Sequence, residues 1–309
     1  MSKIAILFPG QGAQSIGMGK SFYESSETAR AVYKKASDYL KVDIEKICFE
    51  ENDLINQTIY TQKAIFVTST AIYETLKEKY PIQIDGILGF SLGEYSAMYA
   101  SGIFSFEEML SLIEHRATWM EECASKHPGL MGALIGGDAH LIEQFASETT
   151  KNIGLLQIAN YNSPSQKVLS GVPEAFEHLQ NHLLELGIKR LIMLNVSGAF
   201  HSPLMEEAAL KMKQLVSTLD FKKPKINIVM NATAAYLKIN ELPELVYKQL
   251  SGPVRFEESI RYLIQEGFDT FIEVGPGKVL SGLVKKIDDR VKVKSITEYN
   301  DFVNMEELL

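Results

Sequence analysis

DGILGFSLGEYSA, residues 85–97, passes from an apolar run through a glycine-flanked serine into a helix-like run. The segment DGILGF is mostly apolar, as a strand buried in a parallel sheet is. Gly89-Phe90-Ser91-Leu92-Gly93 then has the G-x-S-x-G pattern of a nucleophile elbow. The turn needs small residues on both sides because its backbone is sharp and crowded. The helix that follows places backbone N–H groups beside the serine, which suits a developing oxyanion. Ser91 is therefore either an activated nucleophile or a small residue at a tight strand-to-helix turn.

Strand-like and helix-like runs alternate outward from this point, as in an α/β fold. KIAILF (3–8), KINIVMNA (225–232) and TFIEVG (270–275) read as further buried strands. Residues 61–80 read as a helix with Ile65, Ser69, Ile72 and Leu76 on one stripe. The middle of the chain has another rhythm. GLMGALIGG and DAHLIEQFASET read as strand and helix, GLLQIANYN and QKVLSGV as two strands. PEAFEHLQNHLLELG and KRLIMLNV read as helix and strand. That β-α-β-β-α-β order is ferredoxin-like. The expectation is a large α/β-hydrolase-like domain with a parallel sheet, formed by 1–128 and 198–309. A ferredoxin-like subdomain at 129–197 is inserted into it, with a ligand cleft between the two.

The bulk numbers describe a globular enzyme-sized chain. It has 309 residues, 46% hydrophobic and 23% charged. No apolar run approaches the ~20 residues of a membrane helix. The run before Pro9 is too short for a signal-peptide core. Cys48 and Cys123 form no CxxC pair, so a reducing cytoplasm is expected. A net charge of −8 argues against nucleic acid as a partner. The last ten residues are acidic and are expected to fray.

A nucleophilic serine needs a base. His140, His178 and His182 fall on helices of the insert, His127 in a link, and His115 on the polar face of a helix. His201 lies in NVSGAFHSPLM, just past a strand, where catalytic groups tend to sit. It is the preferred base, with an ordinary loop histidine as the alternative. No acid between 91 and 201 is well placed at a strand end, so a dyad oriented by a neutral group is expected. Residues 105–123 read as a helix with a Ser105–Glu108 capping box. Arg116 lies on its apolar stripe with Met109, Leu112, Ile113, Met120 and Cys123. A buried guanidinium needs an anion. It is either a structural cation or a clamp for a substrate carboxylate. GQGAQSIGMG (10–19) follows the first strand, but Ser15 stands where a dinucleotide loop has its third glycine. A loop that brings N–H groups close to a ligand fits better.

PGQGAQ (9–14), GFSLGEYSA (89–97), Arg116, ANYNSP (159–164), GAFHSPLM (198–205), QLSGPVRF (249–256) and EVGPGKVLSGLVKK (273–286) follow one another. In order and spacing they resemble the malonyl-CoA:acyl carrier protein transacylases of bacterial fatty acid synthesis, nearly end to end. The resemblance implies Ser91 as nucleophile and His201 as base. It implies that the main-chain carbonyl of Gln249 holds the histidine. It puts the oxyanion hole at the backbone N–H groups of Gln11 and Leu92, and the malonyl carboxylate on Arg116. Asn160 and Asn162 match polar residues near the family's site.

The family's serine motif commonly reads GHSLGE, and Phe90 replaces that histidine. Phe200 matches a phenylalanine that goes with malonyl rather than methylmalonyl choice in related polyketide acyltransferases. No metal or redox cofactor is implied, since CoA and phosphopantetheine thioesters are substrates. Acyl carrier protein is the implied partner, and a cytoplasmic monomer is expected. Lys189 with Arg190, and Lys285 with Lys286, are candidate basic contacts for an acidic carrier. The alternatives are an acyltransferase serving a polyketide synthase, a serine esterase or thioesterase, and a non-catalytic carrier-docking protein.

Overall fold

Ile4–Phe8 (IAILF) is apolar throughout because both faces of this strand are covered. Ile6 and Phe8 enter one hydrophobic cluster, Ala5 and Leu7 another. Burial of each large apolar side chain contributes roughly 1.5–3 kcal/mol. The computed structural model describes residues 2–80 and 82–303. Its strands, in chain order, are β1 (Ile4–Phe8), β2 (Gly86–Gly89), β3 (Leu130–Gly136), β4 (Leu156–Ser163) and β5 (Gln166–Gly171). Then come β6 (Ile188–Met193), β7 (Asn227–Met230), β8 (Ala235–Tyr236), β9 (Thr270–Val274) and β10 (Lys292–Ile296).

The larger sheet has the order β10-β9-β1-β2-β7-β8. Its first five strands are parallel and β8 pairs antiparallel with β7. The register pairs Phe8 with Gly89 and Leu7 with Glu273, so the carboxyl ends of β1, β2 and β9 lie side by side. Loops leaving such ends are where open α/β sheets bind ligands. A Cβ on Gly89 would lie 1.9 Å from the carbonyl carbon of Gly93, and one on Gly93 would lie 2.1 Å from the Phe8 oxygen. The two glycines are therefore what lets the chain turn from β2 into the helix Gly93–Ala100.

The helix Thr58–Lys79 differs from the expected single apolar stripe. It is buried on nearly every side, Gln62, Lys63 and Thr68 included. It packs against both the helix Glu27–Leu40 and the helix Phe106–Lys126, which leaves little of its surface for water. In Phe106–Lys126 the capping box forms as expected. Ser105 Oγ accepts from the Glu108 N–H, and the Ser105 N–H donates to Glu108.

The second sheet, order β4-β5-β3-β6, is antiparallel throughout. Its elements follow one another as strand, helix Ala139–Asn152, two strands, helix Pro173–Gln180 and strand. The sequence put a helix through residue 187, but it stops at Gln180, and His182 sits in the turns beyond. The Asn181 side chain donates to the Glu177 carbonyl while its backbone N–H goes to His178, so the α-helical bond pattern ends there.

The expectation of a frayed chain end is corrected over 300–303. Residues Tyr299–Val303 form a helical turn, and Phe302 is buried against Phe22 and Tyr80. Residues 304–309 of that expectation lie outside the described residues. Among the described residues, no helix is long and apolar enough to cross a membrane.

Candidate active site

Ser91 closes β2 and enters the helix Gly93–Ala100 at φ +51°. A non-glycine residue in that region costs on the order of 1–3 kcal/mol and persists only where its surroundings hold it. Its Oγ lies 2.7 Å from His201 Nε2. His201 is also left-handed, at φ +57°. Its Nδ1 lies 2.7 Å from the main-chain oxygen of Gln249. A carbonyl only accepts, so Nδ1 carries the proton and Nε2 is free to accept one from Ser91. Burial, then the nearby Arg116 charge, lowers the His201 pKa to about 4, against the hydrogen bonds to Gln249 and Gly252. The imidazole is thus neutral at pH 7. The Gln249 side chain donates to the Ser91 carbonyl at 2.7 Å, so one residue holds both partners.

Arg116 is 1% exposed. Its guanidinium donates to Gln62 Oε1 at 2.7 Å, to Ser91 Oγ at 3.3 Å and to Gln249 Oε1 at 3.5 Å, and it lies over the Tyr95 ring. Among the described residues, no carboxylate comes within 4.0 Å of it, and its Nε has no partner. Burial lowers its pKa, and Tyr95 and Glu94 oppose that shift. It is a buried cation without an anion, which is costly unless a ligand supplies one.

A cavity of about 420 Å³ opens beside these groups. Gln11, Asn160, Asn162, Phe200 and Phe90 line it, with Ser91, His201 and Arg116 at its base. Among the described residues, the buried Asn162 Oδ1 has no partner. The Phe90 ring meets the buried Phe256 edge-on at 5.4 Å, so the wall residue is backed by an aromatic contact. The backbone N–H groups of Gln11 and Leu92 donate to no other group among the described residues. Leu92 itself is buried at the N-terminus of the helix, where such groups stay free.

The remaining candidates lie apart. His140 and His127 are exposed, and His178 and His182 stack beside Phe145 in the insert. His115 packs on Trp119. Lys189 and Arg190 are exposed on β6. Lys285 donates to the Asp289 and Val291 carbonyls, so it closes its own helix end. Among the described residues, no cluster of three or more metal-ligating side chains forms.

Several residues of the site were missed in the sequence. Asn231 and Glu94 hold the Ser91 turn, and Gln157 and Ser170 hold the His201 loop. Asn231 stands just past the end of β7, so the strand-end rule that selected His201 applies to it equally. Gln157 and Ser170 carry no comparable sign.

Residues 6–298 match the acyl transferase domain family. The chain is 41% identical over 300 residues to the malonyl CoA-acyl carrier protein transacylase of Bacillus subtilis (strain 168), covering 96% of this chain and 94% of that one. The crystal structure of MCAT from Streptococcus pneumoniae superposes with a TM-score of 0.94 at 40% identity, covering 99% of this chain and 100% of that one. A type II PKS acyl-carrier protein in complex with its malonyl-transacylase gives 0.96 at 29% identity, with 100% of both chains covered. The chain belongs to the malonyl CoA-acyl carrier protein transacylase family, within the acyl transferases.

Proposed function

We propose that this chain moves a malonyl group from malonyl-CoA to the phosphopantetheine thiol of acyl carrier protein through a malonyl ester on Ser91. The observation that carries the reading is the buried Arg116, a cation with no carboxylate partner among the described residues, 3.3 Å from the Ser91 hydroxyl. A malonyl carboxylate supplies the missing anion and places the thioester carbonyl beside Oγ.

Ser91 Oγ attacks the thioester carbon as its proton passes to His201 Nε2. The oxyanion rests on the Leu92 and Gln11 N–H groups, each worth roughly 3 kcal/mol in such sites. Collapse breaks the C–S bond, and CoA leaves with the proton from Nε2. The carrier thiol then gives its proton to His201 and attacks the ester, and Ser91 recovers its proton as it departs. Gln249 keeps the ring oriented through its carbonyl. The incoming carboxylate also offsets the Arg116 charge, which otherwise opposes protonation of His201. Asn160 and Asn162 contact the bound thioester, and Phe200 crowds an α-methyl substituent. No redox or metal cofactor takes part.

Residues 129–197 act as a subdomain set into a large domain of 1–128 and 198–309, with the substrate between them. Exposed Lys189 and Arg190 suit the acidic carrier better than Lys285, whose ammonium is already engaged. The enzyme works as a monomer in the cytoplasm and supplies fatty acid synthesis. A carrier of polyketide synthesis is the second reading, favoured by the relative whose structure holds such a carrier.

Intact-mass measurement after incubation with malonyl-CoA should reveal an added malonyl group that acyl carrier protein removes. Ser91→Ala should carry none, and a labelled mutant would overturn the nucleophile. Arg116→Ala should lose malonyl transfer far more than acetyl transfer. Equal losses would leave Arg116 a structural cation.

A further inference from the structure

Asn231 is fully buried and does not line the cavity, yet every polar atom of its side chain is spent on the nucleophile turn. Its Oδ1 accepts the Ser91 N–H at 2.8 Å, and its Nδ2 donates to the Gly89 carbonyl at 2.6 Å. The two partners are one donor and one acceptor of fixed kind, so the orientation of the carboxamide is set by chemistry. The side chain therefore bridges the turn on either side of Phe90. Its own backbone is held too. The Asn231 N–H donates to Glu94 Oε2, and its carbonyl accepts from the Arg255 N–H.

We propose that Asn231 is a positioning residue of this nucleophile, acting on its amide as Gln249 acts on its carbonyl, with Glu94 as its support. This rests on the reading of Ser91 as the nucleophile. Two consequences of the geometry make the role specific. Ser91 holds a left-handed φ that only surrounding contacts can maintain, and Asn231 supplies the contact to its amide. The same contact occupies the Ser91 N–H, so the first free amide of the turn is that of Leu92. Loss of Asn231 frees the turn to relax and displaces Oγ and the Leu92 amide together. Glu94 fits the supporting task because its carboxyl is buried at the start of the same helix, with Oε1 unpaired.

The test uses the whole enzyme and single-turnover malonylation. Asn231→Ala should slow formation of the malonyl ester by roughly 10²-fold, the cost of a misplacement of about 1 Å. The KM for malonyl-CoA should stay near the wild-type value, because Asn231 does not itself line the cavity and meets the substrate only through Ser91. Asn231→Asp supplies a readout that a merely structural residue would not give. As a neutral acid it can donate to the Gly89 carbonyl and accept from Ser91. As a carboxylate it faces that carbonyl with no proton. Its activity should fall as pH rises, where the wild type holds. The titratable groups around it are Glu94, which it touches, and Arg116 and His201, which contact Ser91. They are common to both proteins, so the wild-type profile measured alongside isolates the new limb.

An Asn231→Ala enzyme that acylates within about 3-fold of wild type would overturn the assignment, being less than ~1 kcal/mol. So would an Asn231→Asp enzyme with the wild-type pH profile, which decides the matter if the alanine variant does not fold. Label on Ser91→Ala would instead sink the nucleophile itself, so the two failures are distinguishable.

Discussion

Ser91 and His201 are held in the same uncommon backbone region, at φ +51° and +57°, but by different parts of the molecule. The Ser91 turn is held from the parallel sheet and from the helix Leu242–Ser251. Asn231, from the end of the neighbouring strand, binds its amide, and Gln249 binds its carbonyl. The His201 loop is held from the antiparallel sheet. Ser170 on β5 donates to the Phe200 carbonyl at 2.5 Å, and Gln157 on β4 donates to the His201 carbonyl at 2.6 Å. The Ser91 amide thus takes its partner from the parallel sheet and the His201 loop takes two from the antiparallel one, while Gln249 on the helix Leu242–Ser251 joins serine and histidine. The antiparallel sheet does more than line part of the cavity, because it also holds the His201 loop.

The largest expected effect tests the shared chemistry of the two turns. His201→Ala should lower malonyl transfer by ~10²–10⁴-fold, the usual range for a general base. A smaller loss in steady-state rate would mean that another group takes the Ser91 proton. In the wild type, the acidic limb of kcat/KM should fall nearer pH 4 than 6.5, since burial and Arg116 lower the His201 pKa to about 4.

The two turns should also respond oppositely to pH in stability. His201 has a folded pKa of about 4, below its ordinary 6.5. Between those values only the unfolded chain binds the proton, so this contribution is lost as pH falls from 6.5 toward 4. Burial raises Glu94 from 4.5 to about 8. There only the folded chain keeps the proton, so its contribution is lost as pH rises from 4.5 toward 8. Urea denaturation across pH 5–9 should therefore find wild type losing stability on the alkaline side. Glu94→Gln, which keeps an acceptor for Asn231, should lose less over the same range. Parallel curves would show that Glu94 is ionised in the folded protein.

The smallest effect separates the antiparallel sheet from the parallel one. Gln157→Ala leaves the His201 carbonyl without this donor, at a cost of about 1–3 kcal/mol if it stays dry. Transfer should slow by roughly tenfold, with the thermal midpoint lowered by a few degrees. A rate equal to wild type would show that Gln249 alone suffices to orient the base.

The difference between the turns also explains what could be read from the chain. Gly89 and Gly93 announce the Ser91 turn because only residues without Cβ fit there, a steric demand that local sequence must meet. The capping box at Ser105 and the alternation of strands and helices are local in the same way. His201 could be selected by its strand-end loop, but the bonds that hold Phe200 and His201 in it come from 30 and 44 residues away. Arg116 was conspicuous as a charge on an apolar stripe, yet whether an anion met it was open. The stripe read over 61–80 is buried, but periodicity reports one covered face and this helix has several.

The sequence by itself therefore determined the α/β layering, the crowded serine turn and a family resemblance that named the chemistry. Those features depend on side-chain size and on periods of two or 3.6 residues, which neighbours along the chain express. Only the tertiary structure decided which polar groups meet. It brought Asn231 across 140 residues to the Ser91 amide, joined Gln249 to both serine and histidine, and left Arg116 buried with no anion among the described residues. Hydrogen bonds of that kind depend on position in space and leave no pattern along the chain.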